Sequence, residues 1–85
     1  MIVTFTKTFT KQINKLNAPL RHKLGKCLSL FKENPLHPEL RNHALKGKYQ
    51  GFRSIDITGD VRALYIQRDD KAVFHAVGTH SKIYG

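Results

Sequence analysis

The sequence predicts an α+β fold with an open active surface. Three observations carry that prediction. Apolar residues recur at helical spacing from Phe9 to Phe31, short β-rich runs follow from Ala44 onward, and the prolines at 35 and 38 separate the two regimes. Eighty-five residues suffice for one domain, 1–85, with a core of its own, and are too few to enclose a deep substrate tunnel.

Residues 1–5, Met-Ile-Val-Thr-Phe, read as a short strand. Phe9, Ile13 and Leu16 then repeat at helical spacing with Lys7, Lys11 and Lys15 on another face, which gives a first amphipathic helix. Asn17-Ala18-Pro19 interrupts it. Pro19 suits the first turn of a second helix, where its missing amide hydrogen is not needed, and that helix carries Leu20, Leu24, Cys27, Leu28 and Phe31. The two helices form a hairpin. Asn34-Pro35-Leu36-His37-Pro38 stops helix formation, because each proline restricts the residue before it, and a loop runs to about Asn42. Residues 44–46, 51–57, 61–67 and 72–77 read as strands. Turn signals at Gly47-Lys48, Thr58-Gly59-Asp60 and Asp69-Asp70-Lys71 separate them, so an antiparallel meander is the economical topology. Arg53 shares strand parity with Ile55 and Ile57, and Arg62 with Leu64 and Ile66, so each is expected to begin a strand on a nominally apolar side. The chain holds no repeat, low-complexity segment or internal linker.

Fifteen Lys and Arg against six Asp and Glu give a net charge of +9. Clustered cations gain by releasing the counterions of a polyanion, so a nucleic acid is the first expected partner and a strongly acidic protein the second. Lys7, Lys11, Lys15, Arg21, Lys23, Lys26 and Lys32 all precede the first acid, Glu33. Like charges stacked at helical spacing weaken an isolated helix, which points to a binding face; a merely solvated face is the alternative. The lone Cys27 excludes an internal disulfide and a cysteine metal cluster, and its place in an apolar stripe makes it a core residue. No apolar run is long enough to span a bilayer, and the N-terminus lacks a signal-peptide pattern. A cytoplasmic protein without a membrane partner is expected.

Several catalytic templates are missing: there is no Gly-rich phosphate loop ending in Lys and Ser or Thr, and no Gly-x-Ser-x-Gly elbow. What the chain does offer suits phosphodiester cleavage without a metal. That reaction needs a base for the 2′-hydroxyl, cations around the phosphorane and an acid for the leaving 5′-oxygen. His43, Asp60 and His80 are the proton-transfer candidates. Arg53 and Arg62 could chelate phosphate through planar forks, with Lys46 and Lys48 as point charges. Tyr84, four residues after His80, could donate to the phosphate or stack on a base. Each has a structural alternative. Arg53 and Arg62 could bridge to Asp56 or Asp60, Asp60 could merely form its turn, His43 could be a strand-edge residue and His80 a surface histidine. His22, His37 and His75 receive no role. The five histidines lack the close paired spacing of a metal site, so neither metal nor cofactor is expected.

These segments resemble the RelE/ParE superfamily of toxins from bacterial type II toxin–antitoxin systems, and within it the YafQ branch. The resemblance spans essentially the whole chain. Its distinctive parts are His43-Ala44-Leu45-Lys46-Gly47-Lys48-Tyr49-Gln50-Gly51-Phe52-Arg53, then 60–65, then Gly78-Thr79-His80-Ser81-Lys82-Ile83-Tyr84. It implies a microbial-ribonuclease-like fold, two helices on an antiparallel sheet. It also implies an mRNA interferase that cuts messages in the ribosomal A site, contacts rRNA through its basic helices and is silenced by a cognate antitoxin. An acidic or amphipathic antitoxin segment is expected over the basic helices or the sheet groove, masking Arg53 and Arg62 or displacing Tyr84. Carried over by position, His43, Asp60 and His80 stand at catalytic positions, Tyr84 at the terminal aromatic one, and Arg62 and Arg53 at arginines of the superfamily. Three positions depart from the pattern. Asp56 replaces a further catalytic histidine, Val61 a tryptophan and Ala76 an arginine, which implies weak activity or an altered codon preference. The alternatives are a gyrase-inhibiting ParE-like toxin that cuts no RNA, and a degenerate toxin kept for RNA or antitoxin binding.

Overall fold

Thr6 and Asn17 each stand just ahead of a helix in the sequence. Each performs the same task in the computed structural model of the chain, which describes residues 1–84. Thr6 Oγ1 accepts the Phe9 amide at 3.1 Å and opens α1 (Lys7–Lys15). Asn17 Oδ1 accepts the Leu20 amide at 3.0 Å and opens α2 (Ala18–Glu33), with Pro19 in its first turn. Caps of this kind each stabilise a helix by about 1 kcal/mol. β1 (Ile2–Phe5) precedes α1. After α2 come a 3-10 turn at Pro38–Leu40, β2 (His43–Ala44), a second 3-10 turn at Gly47–Tyr49, β3 (Arg53–Asp56), β4 (Val61–Arg68), β5 (Lys71–Thr79) and α3 (His80–Tyr84).

The five strands form one sheet in the order β1-β5-β4-β3-β2. β2 to β5 make the expected antiparallel meander. β1 instead runs parallel to β5, with Val3 opposite Ala72 and Phe5 opposite Phe74. Side-chain alternation reports which face a residue takes and is silent on strand direction, so the expected all-antiparallel sheet is corrected at this edge. The strand expected at 44–46 is observed at His43–Ala44. The chain leaves it to make two tight turns, the second centred on Gln50 and Gly51, with the Phe52 amide donating to the Tyr49 carbonyl at 3.0 Å. Gly51 adopts a φ of 98°, which a type II turn demands at that position and which a side chain would oppose. The terminal helix α3 is absent from the sequence expectation, although Thr79 Oγ1 caps it.

One face of the sheet makes the core. Register places Ile55, Ala63 and Val77 side by side, with Tyr65 opposite Phe74. Phe9 from α1 and Leu24 and Phe31 from α2 complete a fully buried cluster with them. Phe31 meets Tyr65 edge-on at 4.9 Å and Phe74 at 5.3 Å. A bulge aids this packing. Leu64 pairs with Ala76 and Tyr65 with Phe74, so His75 is an extra residue in β5. In a regular strand Phe74 and Ala76 would share a side; the extra residue turns Phe74 toward the helices. Gln12 Oε1 accepts the Val77 amide at 2.8 Å and pins α1 near the bulge.

The same register sends His43, Ser54, Asp56, Arg62 and Gly78 to the opposite face. α3 lies over it: a Cβ on Gly78 would stand 3.8 Å from both Ile83 and Lys82. Among the polar side chains singled out in the sequence, His43 and Arg62 therefore lie on the face away from the long helices.

Candidate functional site

His80 and Tyr84 lie one helical turn apart, and α3 sets their rings on one face with centroids 4.5 Å apart. Three contacts position this helix. Its first amide, on His80, donates to the Asp60 carbonyl at 3.3 Å, and Thr79 Oγ1 accepts the Lys82 amide at 3.3 Å. From the second 3-10 turn, the Tyr49 hydroxyl donates to the Ile83 carbonyl at 3.2 Å while its ring meets Tyr84 edge-on at 5.0 Å. Tyr49 is thus a site residue that the sequence reading passed over, although it lies inside the quoted 43–53 motif.

His43 enters from β2. Its Nδ1 is 2.8 Å from the carbonyl of Arg41. A carbonyl can only accept, so Nδ1 must carry a proton, and in the neutral ring Nε2 is left with its lone pair. Arg41 turns its carbonyl there from the left-handed region, at φ 47° and ψ 45°, a conformation that costs a non-glycine residue about 1–2 kcal/mol. Arg62 rises from β4 between the two histidine-bearing elements. Its Nε donates to Asp56 Oδ1 at 3.2 Å, with 26% and 16% of the two side chains exposed. This is the bridge foreseen as the structural alternative for Arg62, and at such exposure it stabilises by about 0–1 kcal/mol. The guanidinium keeps its other donors.

Together these residues border an open groove of about 430 Å³, lined by His43, Leu45, Lys46, Tyr49, Arg62, His80 and Tyr84. Five sequence-derived candidates meet there: His43, Lys46, Arg62, His80 and Tyr84. Three stand elsewhere. Lys48 lies over the Tyr49 ring, its Nζ 5.4 Å from the centroid. The exposed Asp60 contributes its carbonyl to α3 and its amide to Thr58 Oγ1, without lining the groove. Arg53 sits opposite Tyr65, on the helix-facing side, and its Nε donates to Asn42 Oδ1 at 2.8 Å. Asn42 Nδ2 in turn donates to the Tyr65 hydroxyl at 2.6 Å and the Pro35 carbonyl at 3.0 Å. The two arginines therefore occupy opposite faces of the sheet, because the tight pairing of Asp56 with Arg62 puts Arg53 out of phase.

Two of the three unassigned histidines have local partners, and His22 is exposed on α2. His37 Nδ1 accepts the Glu39 amide at 3.1 Å, and His75 packs edge-on against Phe52 at 5.4 Å. Cys27 is half-buried, and that burial pushes its thiol above the ordinary range. Among the described residues no three His, Cys, Asp or Glu side chains gather to hold a metal. No helix among the described residues is long and apolar enough to cross a membrane.

The fold is shared with solved structures. YafQ from Escherichia coli matches with a TM-score of 0.81 and 25% identity, covering 98% of this chain and 97% of that one. A copper-bound mutant toxin from Helicobacter pylori matches with a TM-score of 0.74 and 31% identity over 98% of each chain. The E. coli DinJ–YafQ toxin–antitoxin complex matches with a TM-score of 0.78 and 25% identity, over 98% and 96%. No curated protein matches at the level of sequence. The family model for YafQ, the bacterial toxin of type II toxin–antitoxin systems, covers residues 1–85. With that full-length match, and a fold common to these toxins, the chain belongs to the YafQ family of type II toxin–antitoxin toxins.

Proposed function

We propose that the chain is a ribosome-dependent endoribonuclease that cuts mRNA without a metal. The observation that supports this most directly is the single groove shared by two imidazoles, Arg62, Lys46 and the aromatic pair Tyr49 and Tyr84. His43, with Nδ1 committed to the Arg41 carbonyl, takes the 2′-hydroxyl proton on Nε2. The 2′-oxygen attacks the adjacent phosphorus, Arg62 and Lys46 stabilise the charge that builds on the phosphorane, and protonated His80 gives its proton to the departing 5′-oxygen. The products are a 2′,3′-cyclic phosphate and a 5′-hydroxyl. Tyr84 stacks against a splayed base, as aromatic residues do when they hold unpaired RNA. Asp60 acts through the carbonyl that seats α3.

The exposed cations of α1 and α2, among them Lys7, Lys11, Lys15 and Lys26, supply the rRNA-facing surface. In the cytoplasm a cognate antitoxin covers the groove, a role consistent with the DinJ–YafQ complex, in which the related toxin is paired with its own antitoxin.

The test is induction of the chain without antitoxin, mapping mRNA 5′ ends beside a His80→Ala control. In-frame cuts in translated messages that vanish in the control are expected. Growth arrest with intact mRNA would replace this reading with gyrase inhibition or another target. Absence of arrest would indicate a degenerate toxin in which Asp56 holds Arg62 back from phosphate.

A further inference from the structure

Arg62 borders two grooves. Beside the one that holds His43 and His80 lies a second, of about 630 Å³, with Arg62 on the rim of both. They adjoin again at Arg41, which lines the second groove while its carbonyl holds His43 of the first. The second groove exists because β2 is so short. β2 pairs only with Arg53 and Ser54, leaving the outer edge of β3 uncovered from Asp56 onward. Helix α2 faces that edge across the gap and presents Lys23, Cys27 and Leu30.

The chemistry of the groove is mixed in a particular way. Lys23, Arg41 and Arg62 are cations at its border, whereas Glu39 and Asp56 bring carboxylates. The carbonyls of Asp56 and Ile57 are approached by the Cys27 thiol, at 3.9 and 4.0 Å, and a thiol is a weak donor that leaves them good acceptors. A strand of RNA offers both complements at nucleotide spacing: phosphates for the cations, and 2′-hydroxyls and exocyclic amines for the acceptors. A peptide partner is served less well. Leu40 is fully buried and Leu30 and Cys27 are half-buried, so an apolar anchor finds little surface to fill.

We propose that this second groove is a subsite for the nucleotide flanking the cleaved bond, with its phosphate on Lys23 and Arg41 and its 2′-hydroxyl or base amine on the β3 edge. The proposal rests on the reading of the first groove as the cleavage site. A strand whose reacting phosphate sits on Arg62 then has a continuous path into it.

Cys27 is the only cysteine, so its alkylation reports occupancy of this groove alone. The probes are oligoadenylates of three and seven nucleotides, 2′-deoxy at every residue but the last, so that no 2′-hydroxyl adjoins a 3′ phosphodiester and no bond can be cut. At a pH alkaline enough to offset the burial that raises the Cys27 thiol, the heptamer is expected to slow Cys27 alkylation several-fold and the trimer to leave it unchanged. The heptamer should bind about tenfold more tightly than the trimer, and Lys23→Glu should remove that gain. Heptamer affinity equal to the trimer's, with Cys27 still open, would overturn the subsite and leave the first groove as it stands. Failure of both oligomers to bind would also overturn the subsite, while the cleavage reading stands or falls with the mapped mRNA 5′ ends. Protection of Cys27 by an acidic peptide and by neither RNA would assign the groove to a protein partner and refute the proposal.

Discussion

The two faces of the sheet are held in different ways. Toward α1 and α2, Phe9, Phe31, Tyr65 and Phe74 interlock with centroids 4.9 to 5.5 Å apart and no exposure. On the other face the five-residue α3 is held by single hydrogen bonds that involve the Asp60 carbonyl, Thr79 Oγ1 and the Tyr49 hydroxyl, and the histidines reach an open groove. Packing on the first face is dense and redundant, so it carries stability. The second holds its groove residues through single hydrogen bonds, so on the proposed function a loss there should appear in activity before it appears in melting.

The contrast is broken most severely from the packed side. Phe74→Ala removes a ring that touches Phe9, Phe31 and Tyr65, and a buried Phe truncated in this way costs about 3–5 kcal/mol. For a chain of this size the variant should be largely unfolded, or melt more than about 10 °C lower, by circular dichroism. A melt within a few degrees of the parent would show that the two faces share the load. His80→Ala is the converse. It should lower cleavage by about 10²–10⁴-fold, the usual contribution of a positioned acid or base, while its melting curve overlays the parent's. A large drop in stability would mean that His80 also holds the fold.

Asn42→Ala tests the bracket that ties the loop before β2 to the helix-facing side of β3 and β4. It leaves the Arg53 guanidinium and the buried Tyr65 hydroxyl without their shared partner, and should cost about 1–3 kcal/mol in a denaturant titration. Arg53→Lys should reproduce part of that loss, since an ammonium cannot copy the planar donor geometry. If Arg53→Lys instead left stability intact and weakened RNA binding, Arg53 would return to the substrate side.

How legible this was depended on the physics of each element. The core helices could be read because Phe9, Leu24 and Phe31 repeat at helical period and are capped by Thr6 and Asn17. The meander could be read from its turns. The direction of β1 could not, because alternation carries no polarity, and α3 could not, because five residues are too few for a period and its cap, Thr79, follows a strand without a break. Arg53 and Arg62 looked equivalent by parity within their own strands. Only the pairing register, Asp56 against Arg62, shows that they face opposite ways. Asn42 gave no sequence signal, since a bracket between loop, β3 and β4 is a purely tertiary arrangement.

The smallest change sharpens the comparison furthest. Tyr49→Phe deletes one oxygen on the functional face and keeps the ring that meets Tyr84. The lost hydrogen bond to the Ile83 carbonyl is half-exposed, so water replaces much of it and the stability change should stay at or below about 1 kcal/mol. Its mechanical effect is larger than its energy, because few other contacts fix the distance between α3 and the Gly47–Tyr49 turn, and hence between His80 and His43. Cleavage is expected to fall about three- to tenfold through kcat with KM nearly unchanged, since misplacement of a proton donor weakens the transition state more than the ground state. Tyr49→Leu, which also removes the aromatic contact, should add a rise in KM if the Tyr49–Tyr84 pair stacks a base. Equal loss of kcat in both variants with KM constant would reduce Tyr49 to a strut for α3, and leave Tyr84 alone as the stacking surface.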